Sequence, residues 1–435
     1  MKKIALITHG CAKNLVDSEL MLGILAKDGY KITLDENQAE IVIVNTCSFI
    51  ADAEKESVQS IIRMVSEGKK VVIAGCLAQK HKKELQKLIP EAVAFIGTAD
   101  FKKISSIIAT LDQEPGNDIF EVSEKPSYDY PEDIERQQIT VGASSYIKIA
   151  EGCNFECGYC IIPKLRGKYT SRPIENIVKE AKALVQKGVS EIVLIAQDTT
   201  SYGLDLYKKH SLAELLCELN KIEELNWIRV MYTYPSMITD EFLYTIKNLD
   251  KVVKYIDIPL QHSSENVLKL MKRPVFDYKK LIDKIRAIVP EAAIRTTFIV
   301  GYPGESEEDF NELSEFIEYA KFDKMGVFEF SKEKDTYAYG LKNQVPAKVK
   351  KLRKNILMKL QQEISLENNK KMVGKKVDCI VEFVKDDGQI IARTYKDAPE
   401  VDGLIYISSE EIPAPGDIIN VEITDYDEYD LFAKC

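Results

Sequence analysis

The chain has 435 residues, 45% hydrophobic and 29% charged, with a formal net charge of −10. That length is more than one hydrophobic core serves and implies two or three domains. The acidic balance excludes a broad electrostatic preference for nucleic acid, and no apolar run approaches the ~20 residues that span a bilayer.

The opening MKKIALITHGC has too short an apolar stretch for a secretory signal and reads as a first strand. A cytoplasmic protein that does not enter a membrane is expected. Nine cysteines are an odd count and a low density for a disulfide framework, so reduced thiols or metal ligation are expected instead.

Residues 1–111 hold three short apolar strands, Ile4–Thr8, Ile41–Asn45 and Val71–Ala74, with helical periods at Ser18–Asp28 and Asp52–Ser66. Alternation of strand and helix argues for a parallel α/β sheet domain. Cys11 follows the first strand, Cys47 the second and Cys76 the third. Ligands of open parallel sheets bind outside the carboxyl ends of the strands, so these three thiols are expected to converge on one rim. Residues 112–140 read as a linker, because Glu121–Arg136 is polar, carries Pro126 and Pro131, and has no period.

Residues 141–369 alternate again. Strands are expected at Tyr146–Ala150, Glu191–Ala196, Ile228–Tyr232, Tyr255–Ile258, Ala293–Val300 and Gly326–Phe330, with helices between them. Six repeats point to a central partial (β/α)6 barrel. Residues 370–435 carry short β-rich runs separated by Gly, Pro and Asp turns, which reads as a small all-β barrel. From Lys371 onward there are seven Lys and Arg against 15 Asp and Glu, a net of −8.

The chemistry centres on EGCNFECGYCIIP, just after the first strand of the central segment. Cys153, Cys157 and Cys160 form a Cys-x3-Cys-x2-Cys run with no fourth cysteine nearby. Three thiolates at that spacing hold three corners of a 4Fe–4S cubane and leave one iron open. Electron-transfer clusters are normally closed by four cysteines. Zinc sites close with a second Cys or Cys/His pair, which is missing here. Cys217 and Cys379 fall in helical and strand patterns and read as core, and Cys435 as incidental.

The run Cys153-x3-Cys157-x-Tyr159-Cys160 resembles the signature of radical S-adenosylmethionine enzymes. The resemblance implies that the open iron chelates the amino and carboxylate groups of S-adenosylmethionine and that reductive cleavage yields a 5′-deoxyadenosyl radical. By position Tyr159, Gln197 and Arg295 are candidate contacts to that cofactor. Gly10-Cys11 through Asp17-Ser18-Glu19, Asn45-Thr46-Cys47 and Ala74-Gly75-Cys76 are similar to the amino-terminal domain of methylthiotransferases. There the resemblance implies a second 4Fe–4S cluster on Cys11, Cys47 and Cys76. It also identifies the carboxyl-terminal segment with a TRAM domain.

One branch of that family modifies an adenosine of transfer RNA, the other an aspartate of small-subunit ribosomal protein twelve. The first motif and the stretch Arg393–Gly403 resemble the second branch, although Ala12 stands where that branch has proline. Charge points the same way. A domain gripping RNA must neutralise phosphates, whereas a −8 barrel attracts a basic partner. Methylthiolation of an aspartate β-carbon is therefore expected, with two S-adenosylmethionine per turnover, an external electron donor and a sulfur donor. Transfer RNA is not the expected partner. Competing readings are a transfer RNA methylthiotransferase and a non-enzymatic iron–sulfur electron carrier or sensor.

Overall fold

The computed structural model describes residues 2–113, 119–139, 142–409 and 411–435. The amino-terminal part is a parallel sheet of β1 (Lys3–Thr8), β2 (Lys31–Ile32), β3 (Ile41–Thr46), β4 (Lys70–Gly75), β5 (Ala94–Ile96) and β6 (Ile119–Glu121), ordered β2-β1-β3-β4-β5-β6. β3 and β4 are apolar almost throughout because helices such as Ala12–Lys27 and Ala51–Ser66 cover both faces. Strands β1, β3 and β4 are neighbours, so their carboxyl ends lie side by side.

The central part begins with β7 (Ser144–Lys148) and a two-stranded ribbon of β8 (Ala150–Glu151) and β9 (Thr170–Ser171). β10 (Glu191–Ile195) and β11 (Trp227–Val230) pair in parallel with β7 in the order β11-β10-β7. β12 (Tyr255–Asp257), β13 (Ala293–Val300) and β14 (Lys324–Glu329) form the other half. A parallel bridge between Ile228 and Val252 joins the halves into a partial six-stranded barrel. The helix Ala347–Lys370, which the polar pattern concealed, packs along β14 and buries Arg353, Leu357, Gln361 and Ile364.

The carboxyl-terminal part is a closed barrel of β15 (Lys376–Val384), β16 (Ile390–Thr394), β17 (Ile405–Ser408), β18 (Ile418–Tyr426) and β19 (Leu431–Lys434). Among the described residues, no helix is long and apolar enough to cross a membrane.

The stretch read as a linker differs from expectation over its described residues; 114–118 and 140 lie outside them. Ile119–Glu121 is the sixth strand of the amino-terminal sheet. Its polar continuation is pinned rather than loose: buried Arg136 pairs with Glu19 at 2.9 Å and Glu180 at 3.0 Å and donates to the Tyr146 carbonyl. Polarity without period here reflects side chains that pair across a seam.

Both ends of the central barrel are closed. At the amino ends of its strands sits the carboxyl-terminal domain. Arg393 meets Glu191 at 2.6 Å, Arg229 meets Glu191 at 2.8 Å, and the Tyr255 hydroxyl donates to Asp402. The Arg393–Gly403 stretch therefore serves largely as a docking seam. Several of the domain's charged residues are consumed there, including Asp397 on Lys324 and Lys396 on Asp323. At the carboxyl ends sits the amino-terminal domain. The Lys13 ammonium donates to the Ala196 carbonyl and lies 3.3 Å from the Tyr232 ring centroid, and Lys80 reaches Glu333 at 2.9 Å.

Glu191 tests the lower seam. Burial pushes its carboxyl up, but Arg393 and Arg229 pull harder and leave it at about 2, below the ordinary 4.5. Its ionised form stabilises the fold above pH ~4.5, and that contribution is lost as pH falls toward ~2. Glu191→Gln leaves two buried guanidinia without their shared partner, an expected loss of about 3–5 kcal/mol. Urea denaturation should show a lower midpoint at pH 7 and a weaker acid dependence between those two pH values.

Candidate active site

Each amino-terminal cysteine leaves a strand end as expected. Cys47 directly follows β3, Cys76 directly follows β4, and Cys11 lies three residues past β1 and caps the helix Ala12–Lys27. Gly10 has φ +94°, and a Cβ there would lie 2.6 Å from the Cys47 Cβ, so only glycine admits this approach. Asn14 ties the loops together, its Nδ2 donating to the carbonyls of His9 and Thr46.

The triplet lies on the loop after β8, on the rim formed by the carboxyl ends of the barrel strands. Gly158 lets this loop pack closely: its N–H donates to the Met271 carbonyl at 2.7 Å and its carbonyl accepts from Ala338 at 2.7 Å. Phe155, between the first two cysteines, stacks on Tyr234 with centroids 3.7 Å apart and planes at 5°. Arg273 lies over the other partner of that stack, 4.5 Å from the Tyr234 centroid, and donates to Cys157 Sγ at 3.8 Å and to the Tyr159 hydroxyl at 3.3 Å.

Cys76 meets the segment that follows the triplet across the domain seam. Cys76 shares a small buried cluster with Ile161 and Leu165, which directly follow the triplet. The Leu165 carbonyl accepts from Thr98 of the amino-terminal domain. Arg166, at the end of the helix Ile162–Arg166, is buried and reaches back across the seam. One guanidinium nitrogen donates to Asp17 at 2.9 Å and Glu151 at 3.0 Å, and the other to Asn14 and, at 3.8 Å, to Cys76 Sγ. Lys148 pairs with both Asp17 and Glu151 and completes a buried quartet.

Burial pushes the Cys76 thiol up to about 12 and raises Cys47 as well; in the triplet it raises Cys153 to about 11 and Cys160 to about 12. Neighbouring thiolates within each set add to the rise, which places the members of a set within electrostatic reach of one another. A guanidinium opposes it in each case, Arg166 for Cys47 and Cys76 and Arg273 for Cys153 and Cys160. Buried thiols that ionise only with positive charge beside them suit ligation to a cationic iron centre, where the sulfur is deprotonated. Among the described residues, no three His, Cys, Asp or Glu side chains gather tightly enough for a single metal ion. A cubane is wider and takes one sulfur at each corner.

The three candidate cofactor contacts separate. Gln197 lies at the rim, its amide nitrogen donating to Glu151 while its buried Oε1 has no protein partner and remains free to accept from a ligand. Tyr159 packs against the cluster around Met271 and Tyr302, with its hydroxyl on Arg273. Arg295 does not join them. It sits in the lower half of β13, paired with Asp257 at 2.9 Å and facing Asp402 of the carboxyl-terminal domain at 3.5 Å. A strand of eight residues carries both barrel ends, and position within it separates rim from base.

Arg166, Arg273, Glu151 and Tyr234 also lie beside these cysteines or their partners. Glu151 and Arg166 flank the triplet in sequence, and proximity to it was the available signal. Arg273 and Tyr234 carry no motif and are found only by folding.

Three family models match along the chain: the uncharacterized protein family UPF0004 over residues 3–97, the radical SAM superfamily over 147–317 and the TRAM domain over 373–435. The ribosomal protein uS12 methylthiotransferase RimO of Caldanaerobacter subterraneus subsp. tengcongensis is 48% identical, with 100% of both chains covered. The protein of the same name from Clostridioides difficile is 45% identical over 99% of this chain and 98% of its own. Among solved structures, the radical S-adenosylmethionine methyltransferase TsrM of Kitasatospora setae matches with a TM-score of 0.56 at 13% identity, covering 75% of this chain and 73% of that one. That likeness concerns the fold. The chain thus belongs to the family of ribosomal protein uS12 methylthiotransferases, radical SAM enzymes that work with S-adenosylmethionine and a 4Fe–4S cluster.

Proposed function

We propose that the chain transfers a methylthio group to the β-carbon of an aspartate in ribosomal protein uS12, with one 4Fe–4S cluster on Cys153, Cys157 and Cys160 and a second on Cys11, Cys47 and Cys76. The observation that supports this reading is the packing of Cys76 against Ile161 and Leu165, residues that follow the triplet in sequence. Bound there, the clusters supply an electron and an anchoring iron for S-adenosylmethionine at one set and a sulfur-carrying iron at the other.

The chain's own residues do the rest. Gln197 offers its free buried oxygen to the cofactor, and Tyr159 walls one side of the triplet. The Phe155–Tyr234 stack and the domain seam keep water from the reacting atoms. Two S-adenosylmethionine are consumed per turnover, one of them giving the sulfur its methyl group. The electron donor and the sulfur donor are external.

The substrate follows from the names of the full-length relatives and from charge. After its docking ion pairs are set aside, the carboxyl-terminal barrel still turns Asp378, Asp386, Asp387, Glu411, Asp417 and Asp425 to solvent. Such an excess of outward carboxylates speeds and orients encounter with a basic protein. A ribosomal substrate places the reaction in the cytoplasm.

Anaerobic reaction of the reconstituted enzyme with purified uS12, reductant, sulfide and S-adenosylmethionine should add one methylthio group to a single aspartate, read by mass spectrometry. No mass gain under those conditions contradicts the assignment. The two sets should also separate by mutation. Cys157→Ala should abolish cleavage of S-adenosylmethionine, whereas Cys47→Ala should keep 5′-deoxyadenosine formation and lose methylthio transfer. Loss of cleavage in both would show that the sets do not have separate jobs.

A further inference from the structure

Each cysteine set has one buried guanidinium on a sulfur, but the two arginines differ in origin. Arg273 belongs to the same domain as the triplet it serves. Arg166 belongs to the central domain and serves Cys76, a residue of the amino-terminal domain. The amino-terminal set therefore has this cation only when the domains are docked.

The charges around Arg166 are arranged in order. Asp17, Glu151, Lys148 and Arg166 sum to zero, and all four are buried. Within that neutral quartet, the guanidinium edge that is not on carboxylates faces Asn14 and Cys76. Its positive end thus points at the sulfur set. Removing the arginine alone would leave Lys148 against two carboxylates, a net negative charge in a water-poor seam where charges are poorly screened. Negative charge beside an iron–sulfur centre opposes the uptake of an electron.

We propose that Arg166 is a positioning residue for the amino-terminal set, raising the reduction potential of the cluster held by Cys11, Cys47 and Cys76 and making that potential depend on docking of the two domains. This rests on the reading that those cysteines hold a cluster. Arg166 touches no reacting atom. It acts through Cys76 and through Asn14, in the first turn of the helix that Cys11 caps.

The test uses the full-length protein carrying Cys153→Ala, Cys157→Ala and Cys160→Ala, reconstituted with iron and sulfide so that only the amino-terminal set reports. A reductive titration followed by electron paramagnetic resonance gives its midpoint. Adding Arg166→Gln should lower the reduction equilibrium roughly tenfold, equal to 59 mV for a one-electron couple. Arg166→Lys keeps the charge and should stay within about twofold of the parent. An unchanged midpoint in Arg166→Gln, or an equal shift in Arg166→Lys, overturns the proposal, since a purely structural arginine would not distinguish them this way. Should Arg166→Gln fail to take up iron, Arg166→Lys decides: parental iron content and midpoint support the proposal, and loss of either overturns it. A parent that binds no iron and gives no cluster signal overturns the cluster reading itself, and the proposal with it.

Discussion

The buried quartet of Asp17, Lys148, Glu151 and Arg166 is the interaction on which the rest of this molecule depends. It draws one carboxylate from the amino-terminal helix, one carboxylate and one ammonium from the edge of the central barrel, and a guanidinium from just past the triplet. Four charges taken out of water are costly unless each finds its partner. The domains are therefore held in one relative orientation, in which every member is paired. That orientation is also the one that sets Cys76 against Ile161 and Leu165. The same side chains thus fix the domain orientation and the surroundings of Cys76.

Around this quartet the central barrel is closed at both ends by different means. Its rim is covered by the domain that carries the second cysteine set. Its base is sealed by Arg393, Asp397 and Asp402 of the acidic carboxyl-terminal barrel, paired with Glu191, Lys324 and Arg295. The acidic domain is thus anchored at the end opposite the cysteines. Its outward carboxylates face solvent, while its inward ones hold the architecture. A protein substrate gripped there would have to extend along the side of the incomplete barrel to reach the rim.

Much of this was legible in the sequence. The strands of the amino-terminal and central segments announce themselves as short apolar runs, and Cys11, Cys47 and Cys76 could be placed at strand ends before any coordinates. The helices Asp240–Asn248 and Glu307–Ala320 lie between strands as expected, and each starts at a hydroxyl that caps it, Thr239 and Ser306. Three features resisted. The polar run around Arg136 looked like a linker because its partners, Glu19 and Glu180, are far away in sequence. The strands Lys31–Ile32 and Ala94–Ile96 are too short to show a period. Arg295 looked like a rim residue because sequence shows that a side chain lies on a strand but not at which end of the barrel it acts. Arg166 and Arg273 share that difficulty in stronger form, since arginine is normally exposed.

The central claim is that the two cysteine sets face one another across a single seam. The most direct test is the electron paramagnetic resonance spectrum of the fully reduced, fully loaded enzyme, set beside spectra of two variants that each retain one set. Two paramagnetic clusters sharing a cavity perturb one another, so the account predicts a spectrum broadened or split relative to the sum of the single-set spectra. A spectrum equal to that sum would place the clusters apart and contradict it.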